Sequence, residues 1–293
     1  MEKRIKGSTK LLALFGSPVG HSGSPAMYNF SFRYHGLDYA YLAFDIIKEQ
    51  FPAAVDAVRL FQMRGFNVTM PDKNIAAELV DTLSPAARII GAVNTVVNDD
   101  GHLTGYMTDG SGFVQNLKEH GVSVAGKKLV ILGAGGAATA IQVECALQKA
   151  AAISIFNAPD PFLDRAKETA QKLKKEVPDC EVKVICLDEQ DRLKEEIMTA
   201  DILVNATRVG MKPDDQISPI TDVSVFRPEL VVADTVYEPL ETKMMKDAKA
   251  AGCKKIIDGE GMLLWQGAVA YKLYTGLDMP VDAYQKYKNG QEA

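Results

Sequence analysis

The sequence predicts an α/β protein of two α/β domains, one of them discontinuous. Three observations carry this. From Lys10 onward, short apolar runs bounded by turn residues alternate with helix-period segments. The alternation starts afresh after a glycine-rich turn at Gly133-Ala134-Gly135-Gly136-Ala137. After Gly259 comes a strongly helical segment, MLLWQGAVAYKLYTG (262–276), too apolar to stand alone, so it packs back on the first domain. A chain of 293 residues that is 47% hydrophobic is long enough for two buried cores, which excludes disorder and fibrous repeats.

The first element is a buried strand, KLLALFG (10–16). The preceding MEKRIKGSTK imitates a signal peptide, but five apolar residues (11–15) fall short of the roughly 7–15 such a segment needs, and Gly16-Ser17-Pro18 turns the chain. A helix from about Pro25 to His35, a strand YAYLAF, a helix near 48–60 and a strand GFNVTM follow. Strands alternating with helices in this way make a parallel sheet. Two short helices lead to AVNTVVNDDGHLTGYMTD, where two strand-like runs flank Asn98-Asp99-Asp100-Gly101. Asp and Gly tolerate the left-handed backbone of a hairpin turn, so a hairpin ends this unit.

The second domain begins with KKLVILGAGGAATAIQVECALQ, a strand, a glycine turn and a helix. AAISIFN, EVKVICL, DILVNAT, ELVVADTVY and KKIIDG supply further strands, with helices between several of them, and together predict a second parallel sheet. The expected boundaries are 1–109 with 260–293 for the first domain and 110–259 for the second. Asp214-Asp215-Gln216 reads as an exposed loop.

Composition narrows the function. Thirty-three Lys and Arg against 38 Asp and Glu give a net charge of −5 without a block of like charge, so nucleic acid is not an expected partner. No apolar run approaches the roughly 20 residues needed to span a bilayer, so neither is a membrane. Cys145, Cys180, Cys186 and Cys253 form no CxxC pair and the four His (21, 35, 102, 120) show no ligand spacing, so neither a disulfide framework nor a metal is indicated and a reducing cytoplasm is expected.

The glycine turn sits between a predicted strand and a predicted helix, where residues without side chains let backbone N–H groups and the helix N-terminus approach a pyrophosphate. It is a variant of GxGxxG, with Gly133 and Gly135 in the first two places and Ala138 in the third. A tight turn with no ligand is the alternative. The next strand ends at Asn157, followed by Ala158, Pro159 and Asp160. An acidic side chain there can accept hydrogen bonds from both ribose hydroxyls, whereas a 2′-phosphate wants Arg, and the nearest cation is Arg165. Asp160 reads equally as a helix N-cap.

Polar residues suited to a polyhydroxylated acid recur where the strands of the first domain end: Ser22, Ser24, Thr69, Lys73, Asn94 and Asp109. Ligands of open α/β sheets bind outside the carboxyl ends of strands, so the placement means more than the residue types. Each has a plainer reading. Ser24-Pro25 makes a good N-cap and first-turn pair, Asn94 can satisfy backbone at a strand start, and Asp109 can cap a helix from about Ser111 to Glu119. Lys73 follows Thr69-Met70-Pro71-Asp72 at a helix start, where its charge opposes the macrodipole at a cost a solvated lysine tolerates. Gln266 lies on the stripe Met262, Val269, Leu273 and reads as an amide facing an apolar surface, which must find backbone or a ligand hydroxyl.

HSGSP (21–25), NVTMPDK (67–73), GAVNT (91–95), YMTDG (106–110), GAGGA (133–137), VYEPLET (236–242) and GMLLWQG (261–267) occur in the order and at the spacing of the shikimate dehydrogenase family, which the chain resembles over nearly its whole length. NDDG, TRVGMKP and GMLLWQG resemble the quinate/shikimate dehydrogenase branch. The resemblance implies a discontinuous substrate domain and a Rossmann-type dinucleotide-binding domain that close over a cleft. It implies that Ser22 and Ser24 bind the carboxylate of shikimate or quinate, that Thr69, Asn94, Asp109 and Gln266 hold ring hydroxyls, that Tyr237 lines the cleft on the substrate side, and that Lys73 and Asp109 are the catalytic pair. The cofactor residues it implies are Gly133, Ala134, Gly135, Gly136 and Ala137, with Asn157, Asp160 and Gly259. NADP-dependent members carry an Asn-Arg-Thr-type motif where this chain has Asn157-Ala158-Pro159, and Asp160 resembles the acidic residue of members that accept NAD. The cofactor expected is therefore NAD, with NADP open as a second. The expected activity is reversible hydride transfer between the dinucleotide and a ring hydroxyl, against the alternative of a non-catalytic sensor of the same ligands. A homodimer is left open.

Overall fold

The computed structural model describes residues 5–70 and 73–291. The chain divides into two compact units, one formed by residues up to Thr108 and from Gly267 onward, the other by Asp109–Gln266. The second division falls inside a helix, beyond the expected boundary at Gly259.

The first unit holds a six-stranded mixed sheet. In chain order it comprises β1 (Lys10–Gly16), α1 (Ser24–Tyr34), β2 (Tyr39–Asp45), α2 (Phe51–Leu60), β3 (Gly65–Val68), α3 (Lys73–Leu79), β4 (Thr82–Leu83), α4 (Pro85–Ile90), β5 (Thr95–Asp99) and β6 (His102–Tyr106). The strand order is β2-β1-β3-β5-β6-β4. β1 pairs in parallel with β2 and β3, whereas β5 runs antiparallel to both β3 and β6. The expected hairpin is present: Asp100 and Gly101 take φ of 54° and 97°, and Gly101 N–H donates to Asn98 Oδ1 at 2.7 Å. It does not end the sheet, because β4 adds beyond β6 in parallel. Two residues are too short to show a period, so pairing rather than pattern makes that strand. The segment 48–50 is a single 3₁₀ turn, and α2 starts only at Phe51.

The outer edge of β2 is blocked at its middle. Tyr41 N–H donates to Asn29 Oδ1 at 3.1 Å and Asn29 Nδ2 donates to the Tyr41 carbonyl at 2.8 Å, so an amide on α1 stands where another strand would pair. Behind it, Tyr28 and Tyr41 stack with ring centroids 4.5 Å apart. The Tyr41 hydroxyl, fully buried, donates to Asn67 Oδ1 at 2.8 Å. Asn67 Nδ2 in turn donates to the Asn94 carbonyl at 3.2 Å and to Thr95 Oγ1 at 3.0 Å. A polar thread thus runs through an otherwise apolar core to the strand ends.

The second unit holds a six-stranded sheet in which every pairing is parallel, in the order β12-β11-β10-β7-β8-β9. Its strands are β7 (Lys128–Leu132), β8 (Ala152–Asn157), β9 (Glu181–Cys186), β10 (Ile202–Asn205), β11 (Val231–Asp234) and β12 (Lys255–Ile257). Its helices are α5 (Thr108–Glu119), α6 (Gly136–Leu147), α7 (Pro161–Glu176), α8 (Gln190–Thr199), α9 (Lys243–Ala250) and the start of α10 (Glu260–Thr275); α11 (Val281–Lys288) follows in the first unit. The chain builds outward from β7 to β9, then returns to lay β10 on the other side of β7. That reversal makes β7/β10 the topological switch point, outside whose carboxyl ends ligands of such sheets bind. GAATAIQVECAL is apolar on nearly every face, and α6 is buried from Ala138 to Ala146.

The polar thread gives a stability expectation. Asn67→Ala, which strands the buried Tyr41 hydroxyl and takes one donor each from the Asn94 carbonyl and Thr95 Oγ1, should cost about 2–4 kcal/mol, and Tyr41→Phe only about 1 kcal/mol. Urea unfolding midpoints check this, and an Asn67→Ala loss no larger than that of a surface substitution would contradict it.

Candidate active site

Five expected substrate residues gather at one edge of the first sheet. Ser22 and Ser24 follow β1 and Thr69 follows β3, while β5, antiparallel to β3, begins at the same edge with Asn94 just before it. Lys73 opens α3, half-buried, its carbonyl accepting the Val93 N–H at 2.8 Å. Pro71 and Asp72 of the same motif lie outside the described residues. Ser24 is not the N-cap that Ser24-Pro25 suggested: Gly23 takes that position, and the Ser24 N–H donates to Ser22 Oγ at 3.2 Å. Asn94 does more than satisfy its own strand start. Its Oδ1 accepts Thr108 N–H at 2.8 Å, Thr108 Oγ1 at 3.2 Å and Thr95 Oγ1 at 3.0 Å. That oxygen is spent on the protein, so it holds the start of α5 to the start of β5.

Asp109 sits in the first turn of α5, not before it, because the helix begins at Thr108 rather than near Ser111. The capping reading of Asp109 is therefore replaced by a first-turn carboxylate, favoured there by the macrodipole. Two glycines set where α5 lies within the second unit. A β-carbon on Gly110 would collide with the Ala140 carbonyl of α6 and come within 2.7 Å of Glu144 Cβ. One on Gly112 would collide with the Gln266 backbone nitrogen and come within 2.7 Å of its Cα. Asp109 and Gln266 are thereby carried on two helices in backbone contact. Gln266 itself corrects an expectation: its side chain is half-exposed, not an amide buried against an apolar stripe, and Nε2 donates to the Leu263 carbonyl at 3.1 Å. The stripe misled because α10 is apolar on nearly every face, and Val269 and Leu273 are themselves only half-buried.

The glycine turn leaves β7 at the switch point. Gly133 has φ of 105°, and a β-carbon there would stand 2.8 Å from the Ala206 carbonyl, so only glycine fits. Beside Gly135 and Gly136 a β-carbon would meet nothing within 4 Å. Gly135 is the N-cap of α6 and brings no side chain to its first N–H groups, and Ala138 is fully buried. Open space over uncapped donors suits a pyrophosphate. At the end of β8, buried Asn157 donates from Nδ2 to Asp160 Oδ1 at 2.8 Å, and Asp160 caps α7 by accepting the Phe162 N–H at 2.9 Å. The N-cap reading of Asp160 holds, and one oxygen serves it while the carboxylate is exposed. Arg165 is half-buried on α7. Tyr237 is exposed after β11, and Gly259 is buried where a β-carbon would strike the Thr235 carbonyl and come within 2.8 Å of the Val236 carbonyl.

One cluster at these strand ends escapes sequence reasoning. Asn205 and Asp234, the last residues of β10 and β11, are buried together with Thr242, the N-cap of α9. Burial pushes the Asp234 carboxyl above the usual carboxylate range against the pull of its hydrogen-bond donors. The only sequence signal is a polar residue closing each of two apolar strands, in LVNAT and VVADT.

A family model described as the shikimate dehydrogenase substrate binding domain matches residues 14–96, and one described as the shikimate 5′-dehydrogenase C-terminal domain matches residues 259–283. The chain is 45% identical over 280 residues to a shikimate dehydrogenase (NADP(+)) of Listeria monocytogenes, covering 96% of each. It is 45% identical over 278 residues to a quinate/shikimate dehydrogenase of Escherichia coli, covering 95% of this chain and 96% of that one. The crystal structure of shikimate 5-dehydrogenase from Listeria monocytogenes in complex with shikimate and NAD superposes with a TM-score of 0.95 at 43% identity, covering 98% of this chain and 99% of that one.

The contact at Gly112 makes a sign prediction. Gly→Ala within a helix ordinarily stabilises, by about 1 kcal/mol. Here the methyl meets backbone that cannot rotate away, so Gly112→Ala should destabilise by about 2 kcal/mol or more and raise the KM for the acid substrate. A denaturation midpoint unchanged or raised would contradict the packing account.

Proposed function

This chain belongs to the shikimate dehydrogenase family, and from that premise we propose that it oxidises one ring hydroxyl of shikimate or quinate, reversibly, with Lys73 and Asp109 handling the proton. It is an oxidoreductase acting on a CH–OH group with NAD or NADP. The observation that carries the residue assignment is the gathering of Ser22, Ser24, Thr69, Lys73 and Asn94 at the carboxyl ends of the first sheet's parallel strands. The sensor reading has no support, since the relatives are dehydrogenases by name.

In this reading the Ser22 and Ser24 hydroxyls orient the carboxylate, and Thr69, Asn94 and Gln266 take ring hydroxyls. The backbone of residues 133–137 would hold the pyrophosphate, with Gly259 and Asn157 bordering the site and Tyr237 lining the substrate side. The dinucleotide, when bound, supplies the hydride chemistry. The protein deals with what the hydride leaves behind. Oxidising CH–OH to a ketone also releases the hydroxyl proton, and an amine or carboxylate within hydrogen-bond reach must take it. Lys73 and Asp109 are the pair assigned to that transfer, and in the reverse direction they return the proton to the new alkoxide.

Cofactor choice belongs to the same proposal. Asp160 favours NAD: its free carboxylate oxygen can accept from the 2′-hydroxyl, whereas a 2′-phosphate brings nearly two negative charges to the same place and finds Ala158 where an arginine fork would stand. Asp160 is exposed, so screening holds the discrimination to about 1–3 kcal/mol, roughly 5- to 150-fold in kcat/KM. The cytoplasmic location expected from the sequence is part of this reading, and the four cysteines are free thiols.

One assay tests both levels. Reduced nicotinamide is followed by absorbance with shikimate and quinate against NAD and NADP, in wild type, Asp160→Ala and Ala158→Arg. Turnover of at least one acid with NAD at least as good a cofactor as NADP is expected, and both substitutions should move preference toward NADP. No turnover of either acid would overturn the function, and a wild-type preference for NADP above about tenfold would overturn the role of Asp160.

A further inference from the structure

We infer that Asp234 is a positioning residue for the dinucleotide: its buried carboxylate holds the two loops that leave β10 and β11 at the carboxyl edge of the second sheet, beside the glycine turn. The inference rests on the dinucleotide reading of that turn.

Asp234 is 1% exposed and touches three segments. Oδ1 accepts the Val236 N–H at 2.9 Å and Asn205 Nδ2 at 3.0 Å. Oδ2 accepts the Thr242 hydroxyl at 2.8 Å and the same Asn205 nitrogen at 3.1 Å. Because an ionised carboxylate only accepts, it dictates which way the Asn205 amide faces. With Nδ2 turned to Asp234, Asn205 Oδ1 is left to accept the Thr207 N–H at 3.1 Å and the Thr207 hydroxyl at 2.7 Å. Nδ2 also donates to the Val209 carbonyl at 3.1 Å, and the Val209 N–H donates to Thr207 Oγ1 at 3.0 Å. The loop 206–209 is therefore tied at both ends of one amide whose orientation Asp234 sets.

What that loop touches gives the network its purpose. The Ala206 carbonyl and Thr207 Cγ2 stand 2.8 Å and 3.1 Å from where a β-carbon on Gly133 would be, so the tied loop lies against the first glycine of the turn. The other loop, held through Val236, backs Gly259 in the same way, its carbonyl 2.8 Å from a β-carbon there. Burying a carboxylate is costly, and strand ends packed only for stability are served as well by apolar groups. What the carboxylate adds is a fixed polarity, four acceptor positions and no donor, and here it sets one loop against the pyrophosphate turn at Gly133 and the other against Gly259. Asp234 does this without itself reaching the reacting atoms.

Asp234→Asn tests this by putting an NH2 group where one carboxylate oxygen accepted, so that the Asn205 amide is no longer held by two acceptors and its grip on Thr207 and Val209 weakens. Reduced dinucleotide is titrated by fluorescence, KM values for dinucleotide and acid are measured separately, and thermal melting controls for folding. The dissociation constant and KM for the dinucleotide should rise about tenfold with the KM for the acid within about twofold, each lost hydrogen bond being worth about one power of ten at most. The swap Asn205→Asp with Asp234→Asn restores a donor facing an acceptor and should recover most of the binding. Thr207→Val, at a half-exposed position that carries little of the fold, should weaken dinucleotide binding about threefold, with recovery in Thr207→Ser. Unchanged dinucleotide binding in folded Asp234→Asn, or in Thr207→Val where Asp234→Asn does not fold, would overturn the inference. So would an equal rise in both KM values that the swap does not reverse. A wild-type chain that binds no dinucleotide would instead overturn the reading on which the inference stands.

Discussion

The two β-carbons that Gly110 and Gly112 lack decide where Asp109 can stand. Without them α5 lies with its backbone against the Ala140 carbonyl on one side and the Gln266 backbone on the other. The first turn of α5, the helix α6 that follows the glycine turn and the segment of α10 that carries Gln266 are thus locked at van der Waals distance inside one unit. Protein interiors transmit such constraints because they are close-packed, with no slack of a methyl group to absorb a shift. An acid–base group placed by backbone contact is held more tightly than one placed by its own rotamer. The chemistry proposed for Asp109 needs that, because proton transfer depends steeply on reach.

A second constraint is polar. Asn94 Oδ1 accepts three donors, two of them from Thr108, the residue that opens α5. Asn67 ties the Asn94 carbonyl to the tyrosine core beneath. Asn205 and Asp234 play the corresponding part at the strand ends of the second sheet. In both units a buried amide at a strand end fixes the chain that leaves the sheet there. Partial satisfaction of such a network costs more than an apolar replacement, which is why each member has its partners.

Much of this is legible in the sequence, for reasons that differ by element. Strands such as LLALF and LVIL announce themselves as apolar runs between turn residues, and the glycine turn is recognisable because three glycines in four residues stand between an apolar run and a helix-period segment. β4 is not legible, since two residues carry no period. Gln266 was misread because a helix apolar on most faces has no stripe to point inward. The sequence does not show why positions 110 and 112 are glycine, because what excludes a side chain there is backbone from residues far along the chain. Asn205 and Asp234 are hidden for the same reason: each matters through the other, and they lie 29 residues apart in sequence.

The central claim is that Lys73 and Asp109 act as one proton-handling unit. The most direct test is a double-mutant cycle on kcat for shikimate or quinate oxidation, using Lys73→Ala, Asp109→Asn and the pair, with folding checked for each. The account predicts that each single variant loses about 10²- to 10⁴-fold in kcat with little change in KM, and that the double variant loses little more than the worse single one, because groups acting as a unit are non-additive. Near-wild-type kcat in folded Lys73→Ala, or losses that multiply in full, would contradict it.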